Sequence, residues 1–135
     1  MPSSDTPAVR CEVMVVPGVR DAAAQVRRML RELLGAGHAA LADAELCLSE
    51  LLSNAIKYTD SGRGGQVRVE LNVTDRSVRG EVVDDGGGAT VPHLRSRPDG
   101  LGESGRGLWI VAGLSADWGA ERRGRGHAVW FAIRP

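Results

Sequence analysis

The sequence predicts an α+β domain, a two-layer sandwich in which a mixed, mostly antiparallel sheet carries helices on one face. Two observations lead to this class. The apolar spacing changes along the chain in the order strand, two helices, two strands, long loop, helix, two strands. The 135 residues contain no internal repeat and suffice for one core but not for two. One domain is therefore expected over 10–135, preceded by a disordered tail over 1–9 rich in Ser, Pro and Asp.

The first strand is CEVMVV (11–16), closed by Pro17 and Gly18. Over 19–34, Val19, Ala22, Ala23, Val26, Met29, Leu30, Leu33 and Leu34 recur at helical spacing with arginines and Glu32 opposite, and Gly35 and Gly37 end the helix. A second helix is expected from Ala39 to Tyr58, with Leu41, Ala44, Leu48, Leu51, Leu52, Ala55 and Ile56 as its apolar stripe. At about 100° per residue, Cys47, Glu50, Asn54 and Tyr58 form a second strip along one edge of that stripe, where the core meets whatever lies beside it.

DSGRGG (60–65) is a turn-rich loop. QVRVELNV (66–73) alternates apolar and polar residues, and SVRGEVVDD (77–85) is a second strand joined to it through Thr74, Asp75 and Arg76. Residues 86–103 are rich in Gly, Pro and Arg and longer than connections usually are in a small domain, which marks a functional loop. SGRGLWIVAGLS (104–115) reads as a helix entered at a Ser cap, and DWGAERRGRGHAVWFAIR as a hairpin turning near Gly124 to Gly126.

Seventeen basic residues balance seventeen acidic ones, so there is no net field to favour nucleic acid or an anionic membrane. Cys11 and Cys47 have no CxxC spacing and no neighbouring His, which argues against zinc or a redox pair; buried thiols in a reducing cytosol are expected. No apolar run has membrane-spanning length, and MPSSDTPAVR lacks the apolar core of a secretory signal, so the expected location is cytoplasmic. His38, His93 and His127 are scattered and read as surface or loop residues, and Trp109, Trp118 and Trp130 as core or interface aromatics.

Three features carry the candidate chemistry. Glu50 and Asn54, one helical turn apart, can address one object together, although taken alone such a pair also describes a solvated helix edge. DDGGG (84–88) is either a glycine turn or a close approach of backbone to a ligand. GESGRG (102–107) is either an ordinary helix entry or a set of backbone N–H groups open to phosphate oxygens.

In their order and spacing, ELLSNAIKY (50–58), DDGGG and GRGLWIV (105–111) resemble the N, G1 and G2 boxes of the GHKL (Bergerat-fold) ATPase superfamily. Over about 11–134 the chain is most similar to the small anti-sigma factor serine/threonine kinase branch of bacteria. The resemblance implies a histidine-kinase-like ATPase fold with ATP and Mg²⁺ as ligands. It implies that Asn54 holds Mg²⁺ through its carbonyl oxygen and that Glu50 is the general base. It makes Asp84 the acceptor for the adenine amino group, where guanine presents a carbonyl. Asp84 is preferred to Asp85 because it fits D-x-G-x-G with Gly86 and Gly88 and shares strand parity with Val78 and Val82. Gly105 and Gly107 would bring backbone amides to the phosphates, with Arg106 at the γ-phosphate and Leu108 next in the nucleotide-binding run, and 86–103 would form the lid.

The chain departs from the family in two places. Many relatives carry a hydroxyl residue that supports adenine recognition where GHAVWF here supplies His127 and Ala128, and the phosphate-contacting arginine often precedes the G2 glycines, whereas Arg106 lies between them. The implied function is phosphorylation of Ser or Thr on a small antagonist (anti-anti-sigma) protein and sequestration of a sigma factor, with association as a homodimer or in a protein complex. The alternative is an ATP-binding interaction module without transfer, and the presence of a base at Glu50 favours the enzyme. A detached histidine kinase catalytic domain is disfavoured because no helix pair carries a phosphoacceptor histidine, and strand-passage or mismatch-repair machinery is disfavoured by size.

Overall fold

A computed structural model describes residues 9–19, 21–58, 65–85 and 103–135. They form β1 (Arg10–Pro17), α1 (Ala22–Leu34), α2 (Leu41–Tyr58), β2 (Gln66–Val73), β3 (Val78–Val83), α3 (Glu103–Leu114), β4 (Asp117–Arg123) and β5 (Gly126–Ile133). The strands make one sheet in the order β1-β2-β3-β5-β4. Every pairing is antiparallel, which narrows the mixed, mostly antiparallel expectation to a wholly antiparallel sheet. The tail over 1–8, the loop over 59–64 and residues 86–102, with Gly86, Gly88 and His93, lie outside the described residues.

Strand parity builds the helix-facing layer. Val67, Val69, Leu71 and Val73 of β2 are buried, while the intervening Arg68, Glu70 and Asn72 turn to the other face. Their partners continue the layer through Val16, Val78, Val82, Val129 and Ile133. Phe131, the largest fully buried side chain, lies opposite Gly80, where a Cβ would come within 2.6 Å of the ring, so the absent side chain makes room for the aromatic one. From α1, Val26, Met29, Leu30 and Leu34 close over this layer, as do Ala44, Leu48, Leu51, Leu52 and Ala55 from α2. Side-chain burial of this kind contributes about 1.5–3 kcal/mol for each large apolar residue removed from water.

The opposite face of the sheet carries charged side chains over β2, β3 and β4, with Val13 and Val15 of the edge strand β1 exposed on it. Glu81, only 4% exposed, accepts hydrogen bonds from Arg123 Nη1 at 2.7 Å and Nη2 at 3.2 Å. Arg79 stands 5.0 Å over the Trp130 ring beside it. A carboxylate withdrawn from water this far is tolerated because it is paired.

Several expectations change. Val19 is 51% exposed, because α1 starts at Ala22 with Asp21 as its N-cap, and Val19 belongs to the preceding bend. Cys11 is exposed, since β1 is an edge strand and its far face is uncovered, whereas Cys47 is buried as expected. The last helix begins at Glu103, so Ser104 lies inside it rather than capping it, and Glu103 leaves the expected loop. The closing hairpin turns at Gly124 and Arg125. Gly124 has φ 59° and Arg125 is not among residues of positive φ, since no described non-glycine residue has one, the combination found in a type II′ turn.

His38 fastens the helical layer to the β2–β3 turn. The Ala40 N–H donates to its Nδ1 at 3.0 Å, so Nδ1 is unprotonated and the ring N–H sits on Nε2, 2.8 Å from the Thr74 carbonyl oxygen. Thr74 in turn organises that turn, its Oγ1 accepting from the Ser77 N–H at 3.0 Å. His38→Ala removes both bonds and is expected to lower stability by about 1–3 kcal/mol, measured as a lower urea midpoint at unchanged slope.

Candidate functional site

Asp84 lies one residue beyond the end of β3, on the helix-facing side, and is 8% exposed. Its backbone N–H donates to the His127 carbonyl at 2.9 Å, extending the β3–β5 ladder by one pair. The returning bond is unusual, because the His127 N–H donates to Asp84 Oδ1 at 3.1 Å, a side-chain oxygen rather than a backbone one. The Asp84 carbonyl points instead at Gly126, and a Cβ on Gly126 would collide with that oxygen. Glycine at 126 is thus what allows the strand to end in this way. Asp85 is exposed, and its Oδ2 accepts from the Gln66 N–H at 2.7 Å, which ties the end of β3 to the start of β2.

Glu50 and Asn54 are half-buried along one strip of α2, beside the buried apolar stripe, and Cys47 precedes them on the same strip. Burial pushes the Cys47 thiol up to about 11, and the charges of Asp43 and Glu50 add to that push while a contact with Ser115 opposes it. Cys47 therefore remains a neutral thiol near pH 7 and is no nucleophile. The helix carrying Glu50 and Asn54 packs against α3 and against β3 and β5. Gly105, Arg106, Gly107 and Leu108 fall in the first two turns of α3. The elements bearing these residues are therefore neighbours in the helical layer and the sheet beneath it. Among the described residues no group of three or more His, Cys, Asp or Glu side chains could hold a metal by itself.

Two residues of this site escape a reading by spacing. Gly126 was legible only as part of a turn, and His127, read as a surface or loop residue, is 4% exposed and stands with its Nδ1 3.4 Å from Asp84 Oδ1. A signal was present: counting the antiparallel register back from the hairpin places His127 opposite Asp84 once β5 is known to pair with β3.

The sequence profile of the histidine kinase-like ATPase domain matches residues 16–133. Among solved structures, the chain is similar to the RsbU and RsbW domains of Rv1364c from Mycobacterium tuberculosis, at 22% identity with a TM-score of 0.66. That match covers 93% of this chain and 32% of the other, so the chain spans less than half of that protein, and the likeness is one of fold. No curated protein matches the chain.

Two outcomes follow from the geometry. In the native state at pH 8, one thiol, Cys11, is expected to react rapidly with a thiol reagent, and Cys47 only after unfolding or as the pH approaches about 11. Gly126→Ala must displace the Asp84 carbonyl and is expected to cost about 1–3 kcal/mol, with the amide resonances of Asp84 and His127 shifted most.

Proposed function

Because the chain belongs to the histidine kinase-like ATPase domain family, we propose that it binds ATP and transfers the γ-phosphoryl group to a serine or threonine of a small antagonist protein. In its other state it sequesters a sigma factor. The observation that carries the reading is the Asp84 carboxylate, withdrawn from water at a strand end and held there by the His127 N–H. Such a carboxylate can accept a hydrogen bond from a base amino group, and in that role it selects adenine over guanine because guanine offers an oxygen at that position. The anti-sigma assignment rests on the resemblance over about 11–134 to the small anti-sigma factor kinase branch, the three boxes being shared by the whole superfamily, and the site of action proposed is the cytoplasm. No helix among the described residues is long and apolar enough to cross a membrane.

The donor set fits Mg²⁺. One carboxamide oxygen, from Asn54, with no cluster of acidic ligands beside it among the described residues, leaves the other coordination positions to phosphate oxygens and water, the manner in which Mg²⁺ is commonly held. When bound, the ion would neutralise charge on the phosphates. Glu50 accepts the proton of the attacking hydroxyl as its oxygen bonds to the γ-phosphorus and the bond from phosphorus to the β–γ bridging oxygen breaks, releasing ADP. Backbone N–H groups of Gly105 and Gly107, with Arg106 and Leu108 next to them in sequence, orient the phosphates, and Gly86 and Gly88 of the D-x-G-x-G pattern belong to the same proposed nucleotide-binding set. The homodimer or protein complex implied by the resemblance belongs to this reading too.

Calorimetry is expected to show Mg²⁺-dependent ATP binding stronger than GTP binding, with Asp84→Asn weakening ATP at an unchanged melting temperature. Equal affinity for the two nucleotides would remove the adenine assignment. Glu50→Gln keeps the shape of the side chain but loses the proton acceptor, so ATP affinity should survive while transfer from radiolabelled ATP to the captured antagonist falls about 10²- to 10⁴-fold. Wild type that binds ATP and transfers nothing would instead indicate an ATP-binding interaction module.

A further inference from the structure

We propose that His127 is a positioning residue for the nucleotide base, its imidazole and its own backbone N–H jointly setting the orientation in which Asp84 presents its carboxylate. The inference deepens the reading of Asp84 as the adenine acceptor and rests on it.

His127 is 4% exposed, and its Nδ1 is buried without a hydrogen-bond partner among the described residues. A buried ring nitrogen left in this way is costly unless a ligand-dependent contact satisfies it. What faces it is Asp84 Oδ1, at 3.4 Å. An unprotonated Nδ1 would set its lone pair against a carboxylate oxygen, so this surrounding selects the tautomer with the proton on Nδ1. The distance exceeds that of a formed N–H···O bond. Polar contacts of this kind in ligand-free sites shorten when the ligand binds. The same oxygen already accepts the His127 backbone N–H at 3.1 Å. One donor of His127 is thus bonded to Oδ1 and the second stands facing it, so that on closing together they would fix the plane of the carboxylate. The backbone donor comes within reach because Gly126, the preceding residue, has no Cβ to collide with the Asp84 carbonyl.

A positioning role differs from mere packing in what rescues it. Asn at 127 can place an N–H close to where Nδ1 stands, whereas Leu keeps apolar volume without a donor. In the full chain, titrated calorimetrically with Mg-ATP and Mg-GTP, His127→Leu is expected to lose about tenfold in ATP affinity, the effect of one net hydrogen bond. Its preference for ATP over GTP should shrink. His127→Asn should recover most of both, with all variants melting near the wild-type temperature. Wild-type affinity in His127→Leu, or an Asn variant as weak as Leu, would overturn the role.

A second measurement needs no variant. Imidazole ¹⁵N shifts of the wild-type protein should report a proton on Nδ1 and move on ATP addition, and a ring protonated at Nε2 alone would overturn the proposal even if no variant folds. Asp84→Asn separates the two levels. Unchanged ATP binding in that variant would overturn the base-site reading and this inference with it, whereas weakened binding there beside unaffected His127→Leu would overturn only the role of His127.

Discussion

The pairing of β3 with β5 decides where Asp84 sits, and the rest of the site is arranged around that position. Strand side chains alternate, so a slip of one residue would carry Asp84 and the apolar row of β3 to the polar face. Packing on both faces resists the slip. On the helix side Phe131 fits only where Gly80 leaves space, and on the other side Glu81 lies across from Trp130 and between Arg79 and Arg123. With Val83 opposite Ala128, the next pair is necessarily Asp84 and His127.

The two faces of the sheet contribute to the site differently. The helix-facing layer is apolar and close-packed, and it carries α2 and its strip of Glu50 and Asn54 as a rigid platform. The polar face contributes register. The pairing of Glu81 with Arg123 joins the central strand β3 to the edge strand β4, spanning β5 between them. Removing one partner would leave a charge withdrawn from water, a strong local preference for the observed alignment. Rigidity of this kind suits the recognition role proposed for the Asp84 carboxylate, because selectivity there would depend on where its oxygens stand.

Much of the architecture was legible in short windows of sequence. The strip on α2 followed from helical spacing, and on it Glu50 and Asn54 are half-buried, at the boundary expected for them, while Cys47 is fully buried. The D-x-G-x-G pattern and strand parity both favour Asp84 over Asp85, and the two aspartates do lie in different surroundings, one buried beside His127 and the other exposed at the start of β2. His127 was illegible for a specific reason. β5 is buried on nearly every residue, so its sequence has no polar alternation to show which face is which, and the side chain that His127 meets lies 43 positions earlier. Cys11 shows the same limit, since an apolar strand sequence does not say whether the strand lies at the centre or at the edge of its sheet.

By itself, then, the sequence determined the kind and order of the elements and the residues that share a helix strip or a strand face. These follow from periodicities of 3.6 and 2 that each segment carries within itself. Only the tertiary structure decided that β5 inserts between β3 and β4, that β1 is an edge, and that Gly126 and His127 close on Asp84. Those are outcomes of pairing between distant segments, selected by how side chains fill the space between them, and no local spacing encodes that choice.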